Sequence, residues 1–193
     1  MKFCSHCGAT VELRVPDGDS LPRHVCAQCG EIHYINPKVV VGCLPRWEDK
    51  ILLCRRAIEP RHGLWTLPAG FLENNETTIE GAIRETLEEA SAAVGVTELY
   101  ALFNLPHVNQ VYVMFLADLT RLEFGPGAES LEVALFDERD IPWDAMAFPV
   151  IEHTLRLYFE DRRRGRFQVH AGDIIRVPGP ERKFEVRMLG PGA

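Results

Sequence analysis

Apolar or small side chains recur at Ile79, Ala82, Ile83, Thr86, Leu87 and Ala90, the i, i+3, i+4, i+7 spacing of a helix that buries one side. Thr77 and Glu80 read as a capping box, with Thr77 at the N-cap and Glu80 at N3, and Gly95 offers a stop. The helix is therefore predicted over residues 78–93. Upstream, VVVGCL and KILLCRR read as strands joined around Trp47-Glu48-Asp49, and HGLWTLPAG, with its Gly and Pro, as a shaped loop leading into the helix. Downstream, residues 99–119 look like two strands broken at Pro106-His107-Val108-Asn109, and Gly125-Pro126-Gly127 opens a loop toward the strand-like LEVALF. A second helix is expected in FPVIEHTLRLYFEDRRRG, with Pro149 in its first turn, Gly165 at its end, and Ile151, Leu155 and Tyr158 on one face. From about residue 170 the chain turns rich in Gly and Pro and is expected to form a partly mobile tail.

The first 33 residues carry no such periodicity. They hold Cys4-Ser5-His6-Cys7-Gly8 and Cys26-Ala27-Gln28-Cys29-Gly30, two CxxCG knuckles eighteen residues apart. Four thiolates satisfy a tetrahedral Zn²⁺, and a closed Cys4 site leaves no position for a reactant, so the zinc would be structural. A pair of disulfides is the competing reading, disfavoured in a reducing compartment. His6 and His24 flank the knuckles and read as exposed neighbours, while Cys43 and Cys54 sit in apolar runs as small buried hydrophobes. At 193 residues and 46% hydrophobic content the chain suits one main domain plus a small module. A net charge of −7 speaks against a broad nucleic-acid surface. No apolar run reaches a membrane span and no signal-peptide pattern precedes the first cysteine. A cytoplasmic protein is expected.

On the predicted first helix, Glu85, Glu88 and Glu89 fall on one side. Like charges so spaced cost a few tenths of a kcal/mol per pair, a sign that a hard divalent ion would reverse. A solvated acidic face is the commoner explanation of such a cluster taken alone. The spacing around it is more specific: Gly70, five residues, Glu76, seven residues, then Arg84-Glu85-Thr86-Leu87-Glu88-Glu89. This resembles the Nudix box, G-x5-E-x7-R-E-U-x-E-E-x-G-U, in which U is a bulky aliphatic residue. Thr86, Ser91 and Ala92 depart from it, touching helix packing and the exit turn rather than the acids. The resemblance implies that Glu85, Glu88 and Glu89 bind Mg²⁺ or Mn²⁺, one of the last two helping to activate water. It implies a backbone carbonyl from Ala69 or Gly70 as a further ligand, and Glu76 and Arg84 as braces. A further acid is expected in the loop after Gly127, where Glu129 fits best and Glu132 next; both also fit an exposed loop acid.

KFCSHCG, NPKVVVGC, GLWTLPAGFLE, VYVMFLADL, ESLE and LYFED are similar to the plant chloroplast Nudix enzymes that cleave FAD and ADP-ribose and to their bacterial relatives. The resemblance implies an α/β/α Nudix sandwich on a mixed sheet over residues 36–170, a zinc ribbon over 1–35 and a tail over 171–193. It implies hydrolysis of a small nucleoside diphosphate derivative, with FAD giving AMP and FMN. Trp65, His107, Gln110 and Tyr112 are candidate substrate contacts, each of which also fits a core or edge role. The family's habit is a homodimer. NADH and NAD-cap diphosphatases share ribbon and box but carry an SQPWPFPxS string that does not follow the box here. Non-catalytic Nudix sensors often lose box glutamates, all of which are present here.

Overall fold

The computed structural model describes residues 1–179 and 183–190, and the chain divides into two compact units, Met1–Pro37 and Lys38–Ala193. In the first unit, β1 (Val11–Arg14), β2 (Arg23–Cys26) and β3 (Ile32–His33) form an antiparallel three-stranded sheet. Both knuckles turn back through glycine: Gly8 donates its N–H to the Cys4 carbonyl at 2.9 Å and Gly30 to that of Cys26 at 3.1 Å, both at positive φ. These turns bring the sulfurs of Cys4, Cys7, Cys26 and Cys29 within 4.8 Å of one another. Cys4 and Cys29 lie 3.8 Å apart and Cys7 and Cys26 3.4 Å apart. Zn–S bonds of about 2.3 Å at tetrahedral angles separate sulfurs by about 3.8 Å, so the cluster fits a zinc ribbon. His33, one strand away, places Nε2 3.3 Å from the Cys4 sulfur, whereas His6 and His24 make no contact with the four sulfurs among the described residues.

The second unit is built on strands that alternate strictly. Along β4 (Lys38–Trp47), β5 (Lys50–Arg56) and β9 (Gln110–Leu119), one set of side chains, Val40, Leu44, Ile51, Leu53, Met114 and Leu116, belongs to one buried cluster. Their neighbours Val41, Cys43, Leu52, Cys54, Phe115 and Ala117 belong to a second. A period of two sends adjacent side chains to opposite faces, so the sheet separates two half-cores. Helix α1 (Thr78–Ala90) closes the second and α2 (Pro149–Arg164) the first, which gives the expected α/β/α arrangement. The mixed nine-stranded sheet also contains β6 (Trp65–Thr66), β7 (Ala69–Phe71), β8 (Val94–Leu105), β10 (Ser130–Phe136), β11 (His170–Arg176) and β12 (Phe184–Leu189). Its order is β10-β5-β4-β9-β8-β11-β12, with β6 on β5 and β7 on β4. β4 runs parallel to β9, and β8 and β9 form a hairpin around a 3-10 turn at Pro106–Val108.

Three local expectations are corrected. The first helix ends at Ala90, because Ser91 takes the left-handed conformation (φ 48°) and donates its N–H to the Leu87 carbonyl at 2.9 Å; Gly95 lies in β8 opposite Asp118. Its buried stripe is narrower than the apolar pattern, with Ala82, Thr86 and Ala90 fully covered but Ile79 and Leu87 exposed. Small residues there let the helix lie close to the sheet, and the Thr86 hydroxyl is satisfied by donating to the Ala82 carbonyl at 2.8 Å. The stretch read as a tail from residue 171 instead carries most of β11 and all of β12, hydrogen-bonded into the sheet. Gly172 permits this, since a Cβ there would strike the Arg187 backbone carbonyl. Residues 180–182 and 191–193 of that stretch lie outside the described residues. Among the described residues, no helix is long and apolar enough to cross a membrane.

The sulfur geometry generates one expectation. Protein purified without chelator should carry one zinc per chain by elemental analysis, and Cys26→Ser should lose it; a zinc-free wild-type protein, or disulfides among these cysteines, would refute the assignment.

Candidate active site

Helix α1 starts with the full capping box: the Glu80 N–H donates to the Thr77 hydroxyl at 3.2 Å, and the Thr77 N–H to the Glu80 carboxylate at 2.7 Å. Two turns on, Arg84 points its guanidinium back along the helix. Its Nε and Nη2 donate to the two oxygens of Glu76 at 3.0 and 2.7 Å, and Nη2 also reaches the Phe71 carbonyl at 3.1 Å. Nη1 donates to Glu85 at 2.7 Å and to Glu88 at 3.0 Å. The paired Arg84 holds the Glu76 carboxyl down at about 2, with help from the Glu73 amide. Arg84 in turn is raised above its usual range, chiefly by Glu76.

Glu89 lies one turn further on and is only 6% exposed. One of its oxygens accepts from the Ala69 N–H at 3.2 Å. Burial, reinforced by the charges of Glu85 and Glu129, pushes its carboxyl up to about 7 against the opposing pull of the Ala69 amide and Arg56. Burial raises Glu85 too, with Glu88 and Glu129 adding to the shift and Arg84 opposing it. Gly70 lies close against this acid: a Cβ there would fall on the Glu85 carboxylate where Arg84 holds it. The loop that carries Glu129 is pinned by backbone hydrogen bonds, with Phe124 packed against the second cluster. Gly125 and Gly127 donate their N–H groups to the Ala90 and Glu89 carbonyls at 2.8 and 3.0 Å, capping the helix C-terminus. A side chain at Gly127 would collide with the Glu88 carbonyl.

Glu85, Glu88, Glu89 and Glu129 thus line one wall of a cleft of about 750 Å³, with Gly70 at its base and Arg84 behind. Their oxygens do not close to ligand spacing: among the described residues the four ribbon cysteines are the group of three or more His, Cys, Asp or Glu that does. Arg84 holds Glu85 and Glu88, and the Ala69 amide holds Glu89. Four carboxylates around one opening still form a donor set that suits a hard divalent cation. Glu132 lies outside the cleft, 3.7 Å from Arg55.

Gln110 and Tyr112 line the same cleft, and burial pushes the Tyr112 phenol up to about 12, so it stands there as a neutral donor. His107 lies in a smaller adjoining pocket. Trp65 lines neither; it is buried in the core, edge-on to Phe136 at 4.9 Å. Three further cleft residues escaped the reading of the sequence. Arg56 is 9% exposed, donates from Nε to the Pro60 carbonyl at 3.0 Å, lies 5.2 Å from the Phe148 ring centroid, and has no ion pair among the described residues. Phe148 stacks under it, and Phe71 is covered by Lys38 Nζ at 4.5 Å. The only signal for Arg56 was a second cation ending a buried strand, and for Phe71 its place beside Gly70.

Comparison with known proteins agrees with this geometry. A family described as NUDIX domain matches residues 36–158, and one described as Nudix N-terminal matches residues 2–35. The solved structure of a NUDIX hydrolase from Nitrosomonas europaea is 58% identical, covers 91% of this chain and 100% of its own, and superposes with a TM-score of 0.89. Among curated relatives, the NAD-capped RNA hydrolase NudC of Photobacterium profundum is 31% identical over 164 residues, 80% of this chain but 58% of its own length. The ADP-ribose pyrophosphatase of Methanocaldococcus jannaschii is 31% identical over 115 residues, 56% of this chain and 67% of its own. With the box, the sandwich and a match across residues 36–158 in agreement, the chain belongs to the Nudix hydrolase family.

Proposed function

We propose that this chain is a divalent-cation-dependent diphosphatase that adds water across the diphosphate of ADP-ribose or FAD, releasing AMP with ribose 5-phosphate or FMN. The observation that carries the reading is the cleft itself, where four carboxylates share one opening with Arg56, Tyr112 and two phenylalanine rings. Such an opening suits a substrate with a charged middle and flat ends. Bound Mg²⁺ or Mn²⁺ would neutralise the diphosphate oxygens and acidify a water. Glu85, Glu88 and Glu129, with the Gly70 carbonyl, are the proposed ligands. Glu89, with its carboxyl near neutrality, is suited to take the proton of the attacking water. Arg56 supplies a fixed positive charge to the diphosphate, which needs no reorganisation as charge shifts toward the leaving oxygen. Glu76 and Arg84 hold the loop and helix in register.

NudC relatives that match over about 80% of the chain support a second reading, an NAD-cap or NADH diphosphatase, in which the partner includes RNA. The lack of the SQPWPFPxS string and the ADP-ribose pyrophosphatase relative favour the first. A non-catalytic sensor is disfavoured by the complete acid set.

Three outcomes are expected. Glu89→Gln should keep the fold and lower turnover by at least about two orders of magnitude; kinetics near wild type in a protein with verified metal-dependent activity would remove Glu89 from the chemistry.

The same residue has a stability signature. Its folded value of about 7 lies above its ordinary 4.5, so the protonated form is favoured by folding. That contribution is present in full below pH 4.5, falls across pH 4.5–7 and is gone above it, a change of order ~3 kcal/mol. Without added divalent cation, the melting temperature of Glu89→Gln should rise relative to wild type as pH increases through that window. A pH-independent difference would contradict the buried, shifted carboxyl.

The substrate assignment is tested by kcat/KM for FAD, ADP-ribose, NADH, NAD-capped RNA and dATP under one Mg²⁺ condition. FAD or ADP-ribose should lead, and a tenfold lead by NADH or the capped RNA would transfer the assignment to the second reading.

A further inference from the structure

The cleft does not end at Tyr112. A second pocket of about 170 Å³ adjoins it, sharing Pro60, Gln110, Tyr112 and Phe148. Its outer wall is Ile174 of β11 and Phe184 of β12, both beyond residue 158, where the NUDIX match stops. Resting on the diphosphatase reading above, we infer that the β11–β12 hairpin is a specificity element: its pocket takes a planar heteroaromatic ring at the end of the substrate remote from AMP, against Phe184 and His107.

The size and lining of the pocket select for such a group. Whole ligand sites occupy roughly 300–1,000 Å³, so about 170 Å³ receives one moiety and not a nucleoside diphosphate. Leu105, Val108, Phe148, Ile174 and Phe184 make most of its surface apolar, Arg61 adds one cation, and no carboxylate lines it. A bare ribose would set part of its hydroxyl-covered surface against the apolar side chains, which costs free energy for each group left unpaired. A flat ring carrying a few polar atoms matches the surface, with Gln110 and His107 at hand for hydrogen bonds. His107 and Phe184 already meet at 5.2 Å between centroids with a 51° tilt, so a stacking surface is formed in advance.

The wall is also built to stay in place. β11 pairs in parallel with β8 from His170 opposite Ala101 to Asp173 opposite Asn104, and Asn104 donates to the Asp173 carboxylate at 2.9 Å. Buried Asp161 of α2 accepts from the Tyr100 hydroxyl at 3.2 Å and lies 2.7 Å from His170 Nε2. Neither the acid nor the imidazole approaches the cleft, so the buried polar network joins helix, sheet and hairpin rather than serving the chemistry. β12 comes up to β11 through the gap that Gly172 leaves.

The test compares Phe184→Ala, Phe184→Leu and Phe184→Trp with wild type on FAD, NADH and ADP-ribose, the last lacking a planar heterocycle at the remote end. Stacking is worth about 0.5–1.5 kcal/mol beyond area burial, so loss of the ring should lower kcat/KM for the ring-ended substrate by about 2- to 13-fold. Phe184→Leu keeps an apolar side chain and guards against a folding defect in Phe184→Ala; Phe184→Trp should restore the rate. ADP-ribose should change by less than about twofold. A selective fall for FAD identifies the ring as a flavin, and one for NADH as a nicotinamide. An equal fall on all three, or no fall on either ring-ended substrate, overturns the inference. If wild type hydrolyses none of them, the diphosphatase reading has failed, and titration with FMN and with nicotinamide mononucleotide decides the pocket by itself. Tighter binding of either to wild type than to Phe184→Leu upholds it, and equal or absent binding rejects it.

Discussion

One guanidinium holds the acidic site together. Arg84 lies among Glu76, Glu85 and Glu88, and its planar fork satisfies all three while also donating to the Phe71 carbonyl. The geometry requires an arginine, since an ammonium has neither the five donors nor the fixed plane that spans a bidentate partner on one edge and two further carboxylates on the other. Remove that charge and the acids repel one another across a half-buried surface. The same fork ties the loop between β7 and α1 to the helix, so the position of Gly70 relative to Glu85 follows from it. The cation supplies the counter-charge that lets the acids gather, and it leaves the opposite sides of Glu85 and Glu88 turned toward the cleft.

The acids reach one opening because the sheet delivers them there. β4 carries β7 on one edge of its first half and β9 on the other, so the Ala69–Phe71 segment, Tyr112 and Gln110 meet beside the helix that α1 lays over Val41 and Cys43. Arg56 arrives from the end of β5 on the same side. Phe148 comes from the other half of the sandwich, just ahead of α2, and closes the far wall. No single element contains the site; it lies where strand ends and helix starts converge around the sheet.

This explains what could be read from the sequence and what could not. Local signals were legible: the Thr77–Glu80 capping box, the knuckle glycines, Pro149 and Gly165 at the ends of α2, and the alternation in VVVGCL and KILLCRR that separates the two half-cores. The long spaced box identified its acids because spacing along one helix translates directly into spacing in space. What depended on distant chain was hidden. Glu89 looked solvent-facing with Glu85 and Glu88, yet the Ala69 segment folds over it and makes it the buried member of the three. Trp65 looked like a wall of the cleft, but β6 turns it into the core against Phe136. The Gly and Pro residues past 170 suggested a loose tail, while Gly172 is there to admit β12 and Pro178 and Gly179 lie between two strands. His33 gives no local sign of its approach to Cys4, because two strands of the ribbon must pair before the contact exists.

The Glu129 loop carries the same reasoning one step further. Carboxylates that raise one another's proton affinity tend to splay apart wherever their supports are soft, and a glutamate on an irregular loop has the softest support of the four. Here the backbone supplies the stiffness. The Gly125 and Gly127 amides take the last free carbonyls of α1, and the Ala57 amide donates to the Glu129 carbonyl at 2.8 Å, pinning the loop to both helix and sheet. The contact at Gly127 is so close that no side chain fits between loop and helix. Glycine is required there by the approach of two backbones, independently of any turn preference. Glu129 is thereby positioned by hydrogen bonds that are indifferent to its charge, and its charge raises the proton affinities of Glu85 and Glu89 instead of opening the cleft. That is the condition a cation-binding acidic site must meet before the cation arrives: the scaffold, and not the ligand, must hold the acids near one another.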